Sequence, residues 1–143
     1  MEETKLANVT VELKRASETI LLVEDEEIVR KITSTILREN GYRVMEAPDG
    51  EQALEIARDY QAAIHLMLTD VVMPRMSGQE LAYRMKQVRP ETKVLYISGY
   101  TADTIVHHGT LDPGLAFLQK PFTPVGLTLK VRQVLEGELS KRS

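Results

Sequence analysis

Asp70 is the residue around which the candidate chemistry of this sequence is arranged. It follows an apolar run at 66–68 and precedes Pro74, which cannot continue a regular strand or helix. The pattern predicts a buried strand that ends in a carboxylate. In open parallel α/β sheets, ligands and reactive groups collect at the carboxyl ends of the strands. Asp70 is therefore a candidate metal ligand or nucleophile, and the alternative is an exposed loop residue.

Four other polar residues follow segments of strand-like pattern: Glu24 and Asp25 follow the apolar run at 20–23, Ser98 follows the apolar run at 94–97, and Lys120 follows the short strand pattern at 116–119. Carboxylate ligands without His or Cys suit Mg²⁺, which binds one or two carboxylates together with phosphate oxygens. A carboxylate can also be a nucleophile toward phosphorus, and a neighbouring lysine and hydroxyl can then neutralise and orient the phosphoryl oxygens. If these residues share one edge of a sheet, they predict a site for Mg²⁺ and a phosphoryl group together.

The elements that must position these residues alternate between strand and helix. The strand patterns are at residues 20–23, 43–47, 65–69, 94–97 and 116–119, and a helix pattern follows each. Such alternation predicts an α/β fold with a parallel sheet, because strand–helix–strand crossovers are right-handed. The first, third and fourth runs are the most apolar and are expected in the centre. We therefore expect a doubly wound five-stranded sheet of order 2-1-3-4-5, with five helices on its two faces.

Local patterns add detail to these elements. Ile28, Ile32 and Ile36 recur at every fourth position, which predicts the buried stripe of the first helix. Residues 101–108 predict a short fourth helix. Gly41 is expected to end the first helix in the left-handed conformation. Capping residues mark the starts of the second, third and fifth helices: Asp49, Ser77 and Thr123.

Composition narrows the class of protein. The 143 residues carry a net charge of −3, contain seven aromatic residues and lack cysteine. No polyanion-binding surface, base-stacking platform or disulfide is expected, so nucleic acid is not an expected partner. No apolar run approaches the roughly 20 residues that span a bilayer, and we expect a cytoplasmic protein without membrane contact.

The chain divides into a tail at 1–17, one folded domain at 18–136 and a second tail at 137–143. Val9, Val11 and Leu13 alternate with polar residues. This alternation leaves open that the first segment is the end of a preceding domain and not a linker.

Four motifs, in this order, resemble the receiver domain of two-component response regulators, a CheY-like and flavodoxin-like fold. They are LVEDE at 22–26, TDVVMP at 69–74, SGY at 98–100 and KPF at 120–122. The resemblance extends over about residues 18–136. In these motifs the sequence is most similar to receivers that are fused to sensor histidine kinases.

The resemblance implies a phosphorelay function. Asp70 corresponds to the phosphoacceptor, which takes a phosphoryl group from phosphohistidine on a histidine kinase or a histidine phosphotransfer protein. The implied Mg²⁺ ligands are Glu24, Asp25, Asp70 and the backbone carbonyl of Val72. Glu24 stands where Asp is commoner in the family, so its contact with the ion is expected to run through water.

The resemblance also implies a switch. Ser98 and Lys120 match the conserved hydroxyl and lysine, and the switch residues are Ser98, Tyr100 and Phe117. Phe117 has no hydroxyl and has simple core packing as its alternative role. The Lys120–Pro121 bond is expected to be cis. The output surface would comprise the fourth helix, the fifth strand and the fifth helix.

Several functional alternatives stay open. The domain is expected to be a switch that assists its own phosphorylation and dephosphorylation, with no separate substrate; it belongs either to a hybrid sensor histidine kinase or to a stand-alone single-domain regulator. A haloacid-dehalogenase-like phosphatase would place its nucleophilic Asp after the first strand. A flavodoxin-like electron carrier would have a phosphate-binding loop there and not carboxylates. A degenerate receiver that only binds partners is disfavoured, because every acceptor-site residue is present.

Overall fold

The computed structural model describes residues 17–99 and 115–137. Within these ranges lie five strands and four helices: β1 (Thr19–Val23), α1 (Glu27–Glu39), β2 (Arg43–Ala47), α2 (Gly50–Asp59), β3 (Leu66–Asp70), α3 (Gly78–Val88), β4 (Lys93–Ser98), β5 (Phe117–Gln119) and α4 (Pro124–Glu136). The helix predicted at 101–108 lies outside the described residues. The helix predicted as the fifth is therefore α4 here.

The five strands form one parallel sheet of order β2-β1-β3-β4-β5, which confirms the predicted topology. In its register Val23 pairs with Thr69, and Asp70 pairs with Ile97. The carboxyl ends of β1, β3 and β4 therefore lie level with one another at a single edge. This edge carries the candidate site.

Both faces of the sheet are covered, which explains why the central strands are apolar at every position. Ile20 and Leu22 of β1 pack into one cluster with residues of α1 and α4. Leu21 and Val23 point the other way, into a second cluster with residues of α2 and α3. Successive side chains of a strand point to opposite faces, so a continuous apolar run serves two cores at once.

The buried face of α1 differs from the predicted stripe. Ile28 is 74% exposed and Ile32 is 56% exposed, so their predicted burial was wrong. Ile36 is partly buried and packs against the first apolar cluster. The buried residues of this helix are Thr33, Ser34 and Leu37. The helix is rotated so that the two small side chains face the sheet, where they permit close approach, and Leu37 supplies the large apolar contact. The spacing of the hydrophobic residues predicted the stripe of isoleucines, which lies next to the stripe that is buried.

The helix starts confirm the predicted caps. Asp49 accepts a hydrogen bond from the backbone N–H of Gln52 (2.8 Å), and Ser77 accepts one from Glu80 (3.1 Å). Thr123 caps α4 in the same way, followed by proline at the first helical position. Gly41 ends α1 with a φ of 96°, as its position predicted.

Among the described residues, no helix combines the length and the apolar character needed to cross a membrane.

Candidate functional site

The strand ends bring the candidate residues to one edge of the sheet. Asp70 and Ser98 are the last residues of β3 and β4, while Glu24 and Lys120 directly follow β1 and β5. Backbone hydrogen bonds continue the sheet past these ends: Glu24 N–H to Ala47 O (3.1 Å), Val71 N–H to Ile97 O (2.9 Å) and Lys120 N–H to Ser98 O (2.7 Å). The main chain that carries each candidate group is therefore part of the rigid sheet.

Three carboxylates meet at this edge. One oxygen each from Glu24, Asp25 and Asp70 lies within 4.8 Å of the others. Glu24 is only 1% exposed and Asp70 only 5%, whereas Asp25 is exposed to solvent. A cluster of hard oxygen donors with one solvent-facing member has the chemistry that Mg²⁺ prefers, since this ion keeps several waters. The residues present thus fit a Mg²⁺ ion.

Lys120 contacts two of the three carboxylates. Its Nζ lies 2.9 Å from Asp70 Oδ1 and 3.0 Å from Glu24 Oε1. The lysine side chain is 22% exposed, so these ion pairs are only partly screened by solvent. Lys120 thus places a positive charge between the two buried carboxylates. The Lys120–Pro121 peptide bond is cis, as the resemblance implied.

The pKa of Asp70 reflects this environment. Burial raises the pKa of its carboxyl to about 8, and the neighbouring Glu24 carboxylate adds to the rise, while Lys120 opposes it. Burial alone would lower the pKa of Lys120, but its bonds to Asp70 and Glu24 outweigh burial and raise it. Near neutral pH the raised pKa therefore favours the protonated carboxyl of Asp70, unless a further cation stabilises its ionised form.

Arg30 supports the site, and no pattern in the sequence indicated it. Its Nη1 donates to the backbone carbonyl of Glu24 at 2.7 Å, and its Nε lies 3.4 Å from Glu46 Oε1. Glu24 Oε2 in turn accepts from the N–H of Glu26 at 3.2 Å. Arg30 lies on α1, six residues after Glu24, a spacing with no meaning for a helix or strand. Only the turn between β1 and α1 brings the two together.

The loop after Asp70 alternates between buried and exposed residues. Val71 is buried and Val72 is 60% exposed, while Met73 and Met76 are buried in the second apolar cluster. Arg75 adopts a left-handed conformation with a φ of 71°. The loop thus packs two of its side chains into the second apolar cluster and leaves Val72 exposed to solvent.

The predicted switch residues are placed as follows. Ser98 is 4% exposed. Phe117 is half-buried and packs against the buried pair Val71 and Tyr96. Tyr100 lies outside the described residues. Ser98 thus lies on β4, next to β3, and Phe117 lies on β5, next to β4. Their switching role stays a prediction.

Comparison with known proteins agrees with this architecture. Residues 20–132 match the family model of the response regulator receiver domain. The chain is 38% identical over 122 residues to the sensor kinase CckA of Brucella abortus (strain 2308). The aligned segment covers 85% of this chain but only 13% of that protein. The chain is also 33% identical over 116 residues to the response regulator receiver protein CpdR of the same strain. That alignment covers 81% of this chain and 95% of that protein.

A solved structure gives the same result. The crystal structure of the receiver domain from the hybrid histidine kinase CckA aligns with a TM-score of 0.69 at 38% identity, covering 82% of this chain and 98% of that one. The sheet order, the edge that carries the carboxylates and these matches lead to one conclusion: the chain belongs to the response regulator receiver domain family.

Proposed function

We propose that this chain is a phosphoacceptor receiver domain in which Asp70 accepts a phosphoryl group from phosphohistidine. The observation that carries the proposal is the position of Lys120, whose Nζ joins Asp70 and Glu24 at 2.9 and 3.0 Å beside a third carboxylate. A nucleophile, a fixed positive charge and a set of cation ligands are what phosphoryl transfer to a carboxylate requires. The donor would be a histidine kinase or a histidine phosphotransfer protein.

In the proposed reaction, a carboxylate oxygen of Asp70 attacks phosphorus and forms an O–P bond. The P–N bond of phosphohistidine breaks, and its electron pair stays on the imidazole nitrogen, which then takes up a proton. Asp70 must be ionised to attack, and burial opposes ionisation by raising its pKa to about 8. Lys120 favours the ionised form and is placed to neutralise a phosphoryl oxygen.

Mg²⁺ would be held by Glu24, Asp25, Asp70 and the backbone carbonyl of Val72. When bound, it supplies positive charge that favours the ionised carboxylates and neutralises phosphoryl oxygens. The exposed position of Asp25 keeps this side of the site open to solvent. Glu24 already accepts hydrogen bonds from Lys120 and from the Glu26 N–H, which supports a contact through water in place of a direct one.

We further propose that phosphorylation shifts an equilibrium between inactive and active conformations. Ser98 would donate its hydroxyl to the phosphoryl group, and Phe117 and Tyr100 would reorient. The half-buried state of Phe117 supports this, because a partly packed ring can change position without opening the main core. The responding surface would comprise residues 101–108, β5 and α4.

The parent protein is proposed to be a hybrid sensor histidine kinase, on the basis of the 38% identity to CckA. A stand-alone regulator is the second candidate, supported by the match to CpdR over 95% of its length. The coding sequence around this chain distinguishes the two. A kinase core in the same reading frame supports the hybrid, and stop codons on both sides support the stand-alone protein.

The decisive test of acceptor function is covalent labelling. Wild-type protein incubated with acetyl phosphate and Mg²⁺ should gain the mass of one phosphoryl group, and Asp70→Asn should gain none. Asp49→Asn is the matched control, because Asp49 caps α2 and asparagine caps equally well. Labelling of Asp70→Asn at the wild-type level would refute the assignment.

A further inference from the structure

The first residue of α3 lies against the main chain of the acceptor residue. A Cβ added at Gly78 would lie 2.0 Å from the carbonyl oxygen of Asp70, 3.0 Å from its carbonyl carbon and 3.2 Å from Val71 Cα. Real Cβ contacts are essentially never shorter than 3.0 Å. All three atoms belong to the backbone, so none of them can rotate away.

Backbone conformation does not explain the glycine at this position. Among the described residues, positive φ angles occur at Arg75, Gly41 and Gly137, and Gly78 is not among them. Gly78 follows the cap Ser77 and is the first residue of its helix, where alanine has the higher helix propensity. The close approach to Asp70 is therefore what excludes a side chain.

We propose that Gly78 is a positioning residue for the acceptor carboxylate: the absence of a side chain there sets where the main chain of Asp70 lies. This inference rests on the proposed function of Asp70. The N–H of Gly78 also donates to the carbonyl of Val71 at 2.8 Å, so the start of α3 is bonded to the residue that follows the acceptor. The helix and the site thus share one main-chain contact.

Further contacts hold Asp70 in place. Its carbonyl accepts from the hydroxyl of Thr69 at 3.1 Å, its carboxylate lies 2.9 Å from Lys120 Nζ, and the next N–H donates to Ile97. A methyl group at Gly78 must widen a 2.0 Å gap by about 1 Å. Functional constellations tolerate displacements of about 0.5 Å. The displacement would therefore move the carboxylate and the Val71–Val72 segment relative to Lys120 and the acidic pair.

Gly50 provides a matched control. It is the first residue of α2 and follows the cap Asp49, as Gly78 follows Ser77 in α3. A Cβ at Gly50 would meet only side-chain atoms of Met76. The close contact, 2.6 Å, is with Sδ, which can rotate away, and the contacts with Cβ and Cγ at 3.3 Å need a shift of only a few tenths of an ångström. Gly50→Ala thus makes the same chemical change at an equivalent helix position without contact to the acceptor backbone.

The experiment compares Gly78→Ala, Gly50→Ala and wild type in three measurements. These are unfolding in urea, the Mg²⁺ dissociation constant by isothermal titration calorimetry, and the initial rate of labelling by acetyl phosphate at saturating Mg²⁺. For folded Gly78→Ala we expect at least tenfold weaker Mg²⁺ binding and at least tenfold slower labelling. Gly50→Ala should stay within twofold of wild type in both. Values within twofold for folded Gly78→Ala would overturn the proposal.

Two further outcomes distinguish a positioning role of Gly78 from a purely structural role and from a failure of the proposed function. If Gly78→Ala is partly unfolded, sucrose is added until circular dichroism shows the wild-type fold, and both constants are measured again. Recovery to wild-type values there, or failure to fold at all, would give Gly78 a purely structural role and overturn the proposal. If wild type itself is not labelled on Asp70, the proposed function fails, and the Mg²⁺ constants alone decide the positioning role.

Discussion

The Nζ of Lys120 lies 3.0 Å from Oε1 of Glu24, although 96 residues separate the two in the chain. Glu24 is 1% exposed, and the same ammonium group lies 2.9 Å from Asp70. One lysine therefore balances two buried carboxylates at the edge of the sheet. The charge state of Asp70 depends on both neighbours, and this dependence leads to three of the predictions below.

Glu24→Gln should lower the pKa of Asp70 in the absence of divalent cations. The substitution removes a neighbouring negative charge that contributes to the raised pKa of about 8. Titration of ¹³C-labelled Asp carboxyl groups by NMR measures the change directly. Glu27→Gln, at a side chain that is 70% exposed, should leave the pKa of Asp70 unaltered. An unchanged or higher Asp70 pKa in Glu24→Gln would contradict the charge coupling.

Lys120→Met should raise the pKa of Asp70 further. The ammonium group at 2.9 Å lowers this pKa in the wild type, and methionine keeps much of the side-chain volume without the charge. The same NMR titration measures the shift, and Lys31→Met, at a side chain 66% exposed, is the control. A fall in the Asp70 pKa of Lys120→Met would show that Lys120 does not stabilise the carboxylate.

Without Mg²⁺, the free energy of unfolding should decrease as pH rises from about 4 to about 8. In this window the folded state keeps a proton on Asp70, whose pKa is raised to about 8, whereas the unfolded state has lost it near its ordinary value of 3.8. The folded state then binds more protons, and stability falls with pH by at most about 1.4 kcal/mol per unit.

Urea unfolding in EDTA at several pH values tests this slope. Asp70→Asn removes the titrating group and should show a flatter profile than wild type across the same window. Added Mg²⁺ should also flatten the wild-type profile, because it favours the ionised carboxylate. Parallel profiles for wild type and Asp70→Asn would rule out Asp70 as the titrating group.

Two alanine substitutions in α1 test which face of the helix is buried. Leu37 is fully buried, so Leu37→Ala should lower the free energy of unfolding by about 2–5 kcal/mol. Ile32 is 56% exposed, so Ile32→Ala should change it by no more than about 0.5 kcal/mol. Urea unfolding of both variants measures the difference. If both substitutions lowered the free energy of unfolding equally, the buried face would be the stripe that the spacing of the isoleucines predicts.

Periodicity predicted the sheet and its order correctly because each strand carries its own signal. Leu21 and Leu22 belong to a run that is apolar at every position. A strand that is covered on both faces needs apolar residues at all of its positions, so this run predicted a central strand. Capping residues such as Asp49 were equally readable, since a cap acts on an N–H only three residues away. The sequence did not predict which face of α1 is buried. The stripe that contains Ile32 and the adjacent buried stripe have the same helical period, and only packing against the sheet distinguishes them.

The sequence by itself determined the residue types of the site and the strand ends on which they lie: Glu24, Asp25, Asp70, Ser98 and Lys120 each follow or end a strand pattern. Tertiary structure decided how they interact. The contact of Lys120 with Glu24, the support from Arg30 and the approach of Gly78 to the Asp70 carbonyl join residues far apart in the chain or across a loop. The physical reason is the sequence separation over which each effect acts. Local sequence patterns determine the local backbone conformation, whereas the distances between residues far apart in the chain depend on the packing of the whole domain.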